Sequence, residues 1–112
     1  MTVEVFYIEG CPNHRPTVDR VKGLLNDLRS SAELIEVPIT DLGSALANRF
    51  LGSPTVRVNG IDVEPSARTS TQFGLACRTY HNGRKWNGVP SVELIRDALE
   101  QAQLSESESQ CR

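Results

Sequence analysis

What most constrains this chain is how it opens, with one apolar run leading directly into one amphipathic stretch. Val3 to Ile8 is apolar except for Glu4, rich in β-branched and aromatic side chains, and ends at Glu9-Gly10. Such a run suits a strand covered on both faces. Beyond Cys11-Pro12-Asn13-His14-Arg15-Pro16, the residues Val18, Val21, Leu24, Leu25 and Leu28 recur at helical spacing. Asp19, Arg20, Lys22, Asn26, Asp27 and Arg29 fall mostly on the opposite side, so the helix has one core face. Glu33 to Ile39 then reads as a second strand, and Pro38 puts its end at a sheet edge or outside the sheet. Strand, helix, strand implies two parallel neighbours joined by a right-handed crossover.

The remainder adds to that unit. Thr40-Asp41 is placed to cap a short helix carrying Leu42, Ala45, Leu46 and Phe50, and Gly52 to stop it. Pro54 to Val58 alternates, Asn59-Gly60 is a two-residue hairpin turn, and Ile61 to Val63 alternates back. Glu64 to Phe73 is polar and aperiodic and reads as a loop; Leu75 to Tyr80 reads as a short extended segment before an Asn82-Gly83 turn. Pro90 opens a last helix with Val92, Ile95, Ala98, Leu99 and Ala102 on its apolar side. The expected architecture is α/β: one mixed central sheet with helices on both faces, in a single domain over residues 1–104. Residues 105–112 hold no apolar side chain except Cys111 and are expected to form a disordered tail.

Composition removes several function classes. The 112 residues carry 12 Lys and Arg against 14 Asp and Glu, a formal charge of −2 with both signs interspersed. That balance gives no footprint for nucleic acid or an anionic membrane. No apolar run approaches the ~18–20 residues of a membrane helix, and Met1 to Gly10 lacks a basic n-region. Three cysteines do not make a secreted disulfide framework, so a cytoplasmic protein with reactive, metal-binding or buried cysteines is expected. Ser53 and Ser91 lack a nucleophile-elbow context, and no glycine-rich phosphate loop exists. The single Trp86 reads as a cover over the core or a loop.

The chemistry therefore concentrates on thiols. Cys11 stands between the end of a strand and the start of a helix, near unpaired N–H groups and the positive end of the helix dipole. That setting favours thiolate over thiol, and the polar, loop-like flanks argue against a buried cysteine. His14 shares the same rim if the turn there is helical. Cys77 is a possible distant partner, with Arg78 beside it as a cation able to favour a thiolate; a buried strand residue is the plainer reading of Cys77. Cys111 reads as incidental. Cys11-x-x-His14 and Cys77-x-x-x-His81 have spacings near those of zinc sites, so these four residues are candidate ligands for zinc or a softer thiophilic ion.

The order of elements, with a cysteine at the first helix start and a proline opening the hairpin, resembles the thioredoxin superfamily over about residues 2–102. More narrowly, EGCPN, FLGSPTVRVNGIDVEP and GLACRTY look like small bacterial thioredoxin-fold proteins, some of them labelled after alkylmercury lyase. The resemblance implies a thioredoxin-like three-layer fold, with Cys11 as nucleophile and Pro54 as a cis-proline facing it. It also implies that Ser53-Pro54-Thr55 aligns substrate through the Ser53 backbone. The chain departs from that pattern in having Cys11-Pro12-Asn13-His14 where the superfamily has Cys-x-x-Cys, in lacking a Trp before Cys11, and in lacking a glutathione signature after the hairpin. The expected function is thiol–disulfide redox chemistry without a cofactor, on a protein or small-molecule thiol or disulfide. Cys11 attacks, His14 stabilises or protonates a thiolate, and Cys77 or an external thiol resolves. A thiolate metal-binding protein and a chemically inert interaction module are the alternatives.

Overall fold

The computed structural model describes residues 1–81 and 85–110, with the backbone alone described over 106–110. The Asn82-Gly83 turn and Cys111 lie outside the described residues. Strand β1 (Thr2–Tyr7) is followed by helix α1 (His14–Asp27), strand β2 (Glu33–Pro38), helix α2 (Leu42–Ala47) and the hairpin β3 (Thr55–Val58) and β4 (Ile61–Asp62). A 3-10 turn at Pro65–Ala67, a two-stranded ribbon of β5 (Tyr80–His81) and β6 (Trp86–Asn87), and helix α3 (Val92–Gln110) complete the chain.

The larger sheet has the order β2-β1-β3-β4, with β1 parallel to β2 and antiparallel to β3, and β3 antiparallel to β4. The apolar run is thus an inner strand, and β2, which ends at Pro38, is an edge strand. Register puts Val3 opposite Val58 and Val5 opposite Val56, while Phe6 lies opposite Thr55 and Glu4 opposite Arg57. Successive strand residues face opposite ways, so the valines form one face and Phe6, Thr55 and Arg57 the other. On the valine face, Val18, Val21, Leu24 and Leu25 of α1 pack with Ile95 and Leu99 of α3. On the other face Phe6 packs with Ile39, Ala45 of α2 and Phe50. Helices therefore cover both faces of a mixed sheet.

Local chemistry explains the joints. Asn59 and Gly60 both take positive φ, +52° and +81°, as a two-residue type I′ turn requires. Asp41 Oδ1 accepts the Ser44 N–H at 2.7 Å and caps α2. α1 begins at His14 with Pro16 in its first turn, where a missing N–H costs no helical bond. Pro90 does not open α3: Ser91 Oγ accepts the Leu94 N–H at 3.1 Å, and the helix starts at Val92. The Pro90 carbonyl instead accepts from Arg20 Nη1 at 2.9 Å.

α3 runs on through Glu106, Glu108 and Gln110 without a Gly or Pro to stop it. Once started, a helix adds one hydrogen bond per residue fixed. Trp86 does not cover the core; it is 65% exposed and meets His81 edge-on, with ring centroids 4.9 Å apart. Tyr80 is the buried aromatic of that region. Among the described residues, no helix is long and apolar enough to cross a membrane.

Candidate functional site

The end of β1 and the start of α1 are joined by two tight turns. Gly10 takes φ +84°, the Cys11 N–H donates to the Ile8 carbonyl at 3.0 Å, and the His14 N–H donates to the Cys11 carbonyl at 3.2 Å. Cys11 is a free, partly exposed cysteine. It precedes the N-cap, Asn13, by two residues, so its own carbonyl consumes the His14 N–H. Pro16 has no N–H, and two of the four orphan donors of this helix end are accordingly not available to a thiolate. After β6 the chain closes over the same rim, and a Cβ at Gly88 would collide with the Asn13 side-chain amide.

His14 is committed elsewhere than the sequence suggests. Its ring stacks on Tyr7 at 3.6 Å, nearly parallel, and its Nε2 donates to Glu36 Oε1 at 2.7 Å. An ionised carboxylate only accepts, so Glu36 fixes the proton on Nε2. The side chains of His14 and Glu36 are 17% and 35% exposed, a half-open His–carboxylate pair on the β2 edge of the rim. Glu36 and Tyr7 were missed by sequence reasoning. The signal for Glu36 was a carboxylate inside an otherwise apolar strand, Leu34-Ile35-Glu36-Val37.

Cys77 is exposed and free, not the inward-facing strand residue of the plainer reading. Its backbone lies beside Ser53 in an isolated parallel bridge, where the Ser53 N–H donates to the Ala76 carbonyl at 2.8 Å and the Arg78 N–H to the Ser53 carbonyl at 2.9 Å. Ser53 Oγ in turn accepts the Ile8 N–H at 3.0 Å. Cys11 is thereby linked through Ile8 and Ser53 to the backbone beside Cys77, and the two thiol-bearing segments share one end of the sheet. Gly52, with φ +133°, permits this approach; a Cβ there would sit 2.9 Å from Arg78 Cβ.

The residues expected to bind substrate, Ser53, Pro54 and Thr55, lie beside this bridge. The Ser53–Pro54 peptide is cis, but the Ser53 backbone donor and acceptor are both held by residues 76–78. Ser53 and Thr55 are 1% and 0% exposed. Thr55 Oγ1 donates to the Gly52 carbonyl at 2.6 Å, and the Tyr80 hydroxyl donates to the Pro54 carbonyl at 2.5 Å. All three residues anchor the chain's own 76–81 segment.

Arg78 is likewise no thiolate partner. Alternation sends it inward while Cys77 faces out, and its Nη1 and Nη2 donate to Asp62 Oδ2 and Oδ1 at 2.7 and 2.9 Å. It also reaches Thr55 Oγ1 at 3.2 Å and Glu64 Oε1 at 3.3 Å, and lies over the Tyr80 ring at 4.5 Å. Burial opposes the Arg78 charge most strongly, but the Asp62 hydrogen bonds and the fields of Tyr80, Asp62 and Glu64 together outweigh it and hold the guanidinium above its ordinary value. Burial also pushes the Tyr80 phenol up, against the opposing pull of Arg78.

The metal candidates do not assemble. Among the described residues no three His, Cys, Asp or Glu side chains come together so as to hold an ion. His14 of α1 is bonded to Glu36 on β2, and His81 lies against Trp86 in the β5–β6 ribbon, so the structure does not bring Cys11, His14, Cys77 and His81 into one such group. Comparison with protein-family models, with curated proteins and with solved structures finds no match.

Proposed function

We propose that the chain is a thiol–disulfide redox protein with a thioredoxin-like fold, in which Cys11 is the attacking thiol and Cys77 the resolving one. The observation that carries this reading is the linkage of two free thiols, one partly exposed and one exposed, to one sheet end through Ile8 and Ser53. The parallel β1–β2 pair, the antiparallel hairpin beside β1 and the cis bond at Ser53–Pro54 support the fold part of it.

In the reaction, the Cys11 thiolate attacks one sulfur of a substrate disulfide. A Cys11–substrate disulfide forms, and the other substrate sulfur leaves as a thiolate that takes up a proton. The Cys77 thiolate then attacks Cys11 Sγ, which closes a Cys11–Cys77 disulfide and releases the second substrate thiolate. Two electrons pass from the protein dithiol to the substrate disulfide, and an external thiol restores the protein. His14 keeps its Nε2–H on Glu36, so a proton that it hands to the leaving thiolate is one carried on Nδ1. Substrate lies over the exposed Cys11–Cys77 surface and does not pair with the Ser53 backbone.

The test is to treat the reduced protein with a small aromatic disulfide and follow the products by mass spectrometry. Wild type is expected to lose two hydrogens and release two substrate thiols, and Cys77→Ser to stop as a mixed disulfide on Cys11. Adduct formation at Cys77 that proceeds at full rate in Cys11→Ser rules the assignment out. So does the absence of a Cys11–Cys77 disulfide combined with unreactive Cys11.

A further inference from the structure

The structure holds a second feature, lined by neither Cys11 nor Cys77, that the redox reading does not use. A cavity of about 390 Å³ opens on the α2 side of the hairpin, in the volume range of small-ligand sites. Its wall carries three guanidiniums, Arg49, Arg57 and Arg68, together with the apolar side chains Leu51, Ile61 and Phe73. Among the described residues, none of these three arginines has a carboxylate in ion-pair contact. What they hold instead is backbone and aromatic surface. Arg57 Nη2 donates to the Asn48 and Arg49 carbonyls at 2.7 and 2.8 Å, and its guanidinium lies over Phe6 at 4.4 Å. Arg68 Nε donates to the Asp62 carbonyl at 2.8 Å, and Arg49 lies over Phe73 at 5.4 Å.

The carboxylates nearby do not neutralise this wall. Asp62 lines the cavity as well, but both of its oxygens are taken by Arg78, which Glu64 also contacts. Glu4 faces Arg57 across the strands without forming an ion pair. Four guanidiniums thus meet three carboxylates, and two of those carboxylates are bound to Arg78. Burial lowers the Arg57 guanidinium from its ordinary value, opposed by the fields of Asp62 and Glu4. Concentrating uncompensated arginines at one concavity is unexpected in a chain of formal charge −2. Arginine's planar fork matches carboxylate and phosphate oxygens, and backbone bonds and aromatic stacking hold the forks of Arg57 and Arg68 in place before any ligand arrives.

We infer that this cavity binds a small organic oxyanion, a carboxylate or a phosphomonoester, with its charged group on Arg49, Arg57 and Arg68 and an apolar body against Leu51, Ile61 and Phe73. Arg49 and Arg68 are exposed and supply the entrance; Arg57 is half-buried and forms the fixed floor. Phenyl phosphate and benzoate are suitable probes because each joins one oxyanion to one ring, and inorganic phosphate separates charge from apolar contact.

Titration of the ¹⁵N-labelled protein is expected to give saturable amide shifts centred on Arg49, Ile61, Arg68 and Phe73. Phenyl phosphate is expected to bind more tightly than inorganic phosphate, and benzoate shows whether carboxylates share the site. Arg49→Gln combined with Arg68→Gln is expected to weaken binding at least about tenfold, the loss of charge-assisted hydrogen bonds. The equal charge change of Lys22→Gln with Arg96→Gln, both exposed on α1 and α3, is expected to leave affinity unchanged. The proposal fails if neither organic probe gives saturable shifts, if the shifts map away from these residues, or if the two double variants weaken binding equally. The spectrum of each variant reports its own folding, and the wild-type shift map stands if one of them does not fold.

Discussion

On the α1–α3 face of the sheet, the buried side chains of β1 and β3 are Val3, Val5, Val56 and Val58, and the helices add Val18, Val21, Leu24, Leu25, Ile95 and Leu99 to them. On the α2 face the same strands present Glu4, Phe6, Thr55 and Arg57, joined by Asp62 and the inward-turned Arg78. The first face is held by area removed from water, a non-directional term that tolerates rearrangement. The second is held by a few directional bonds among groups that are expensive to bury alone. One set of backbone strands can therefore carry a forgiving layer and an exacting one, separated only by the period of two.

The largest expected effect breaks the exacting layer. Asp62→Ala strands the Arg78 guanidinium, 7% exposed, without its bidentate partner. It is expected to cost about 3–5 kcal/mol in urea unfolding, the usual penalty for one half of a buried pair. Asp62→Leu combined with Arg78→Met is expected to recover most of that loss. Equal destabilisation by the single and the double change would show that the charges are not the reason.

The forgiving layer is expected to respond to volume and not to identity. Leu99, fully buried between α3 and the valines, is expected to cost about 2–5 kcal/mol as Leu99→Ala. Leu99→Met is expected to stay below about 1.5 kcal/mol. A Met variant as unstable as the Ala variant would mean that this face, too, depends on fixed geometry.

The smallest effect is confined to alkaline pH. Burial raises the Tyr80 phenol above its ordinary value, so the folded protein keeps a proton that the unfolded chain releases above about pH 10. The contribution is fully present below that pH. It is lost as pH rises from there toward the higher folded value, at about 1.4 kcal/mol per pH unit. Tyr80→Phe is expected to remove this slope while lowering stability at neutral pH, because the Pro54 carbonyl loses its donor. Identical alkaline slopes in the two proteins would assign the effect to another group.

Much of the frame was legible because its causes are local. The Val3–Ile8 run, the spacing Val18-Val21-Leu24-Leu25-Leu28, the Asn59-Gly60 turn and the Asp41 cap each rest on neighbours a few residues away. The run of α3 to Gln110 was not legible, because low apolar content describes what a segment can bury, not whether a helix already started will continue. At the candidate site, the place of Cys11 between strand and helix was legible from its neighbours. His14 was singled out, but the stack on Tyr7 and the bond to Glu36, 22 residues on, were not visible.

By itself the sequence determined most of the elements, the strand alternation that separates a valine face from a charged one, and the position of Cys11 between β1 and α1. Only the tertiary structure decided which side chains the charges and thiols meet. Arg78 and Asp62 stand 16 residues apart, and Ser53 meets the 76–78 segment across a still longer interval. Periodicity says which way a side chain faces, whereas its partner depends on which distant strand the chain brings alongside. That is why Arg78 was read as a companion of Cys77 and is instead the buried clasp that leaves Cys77 facing outward.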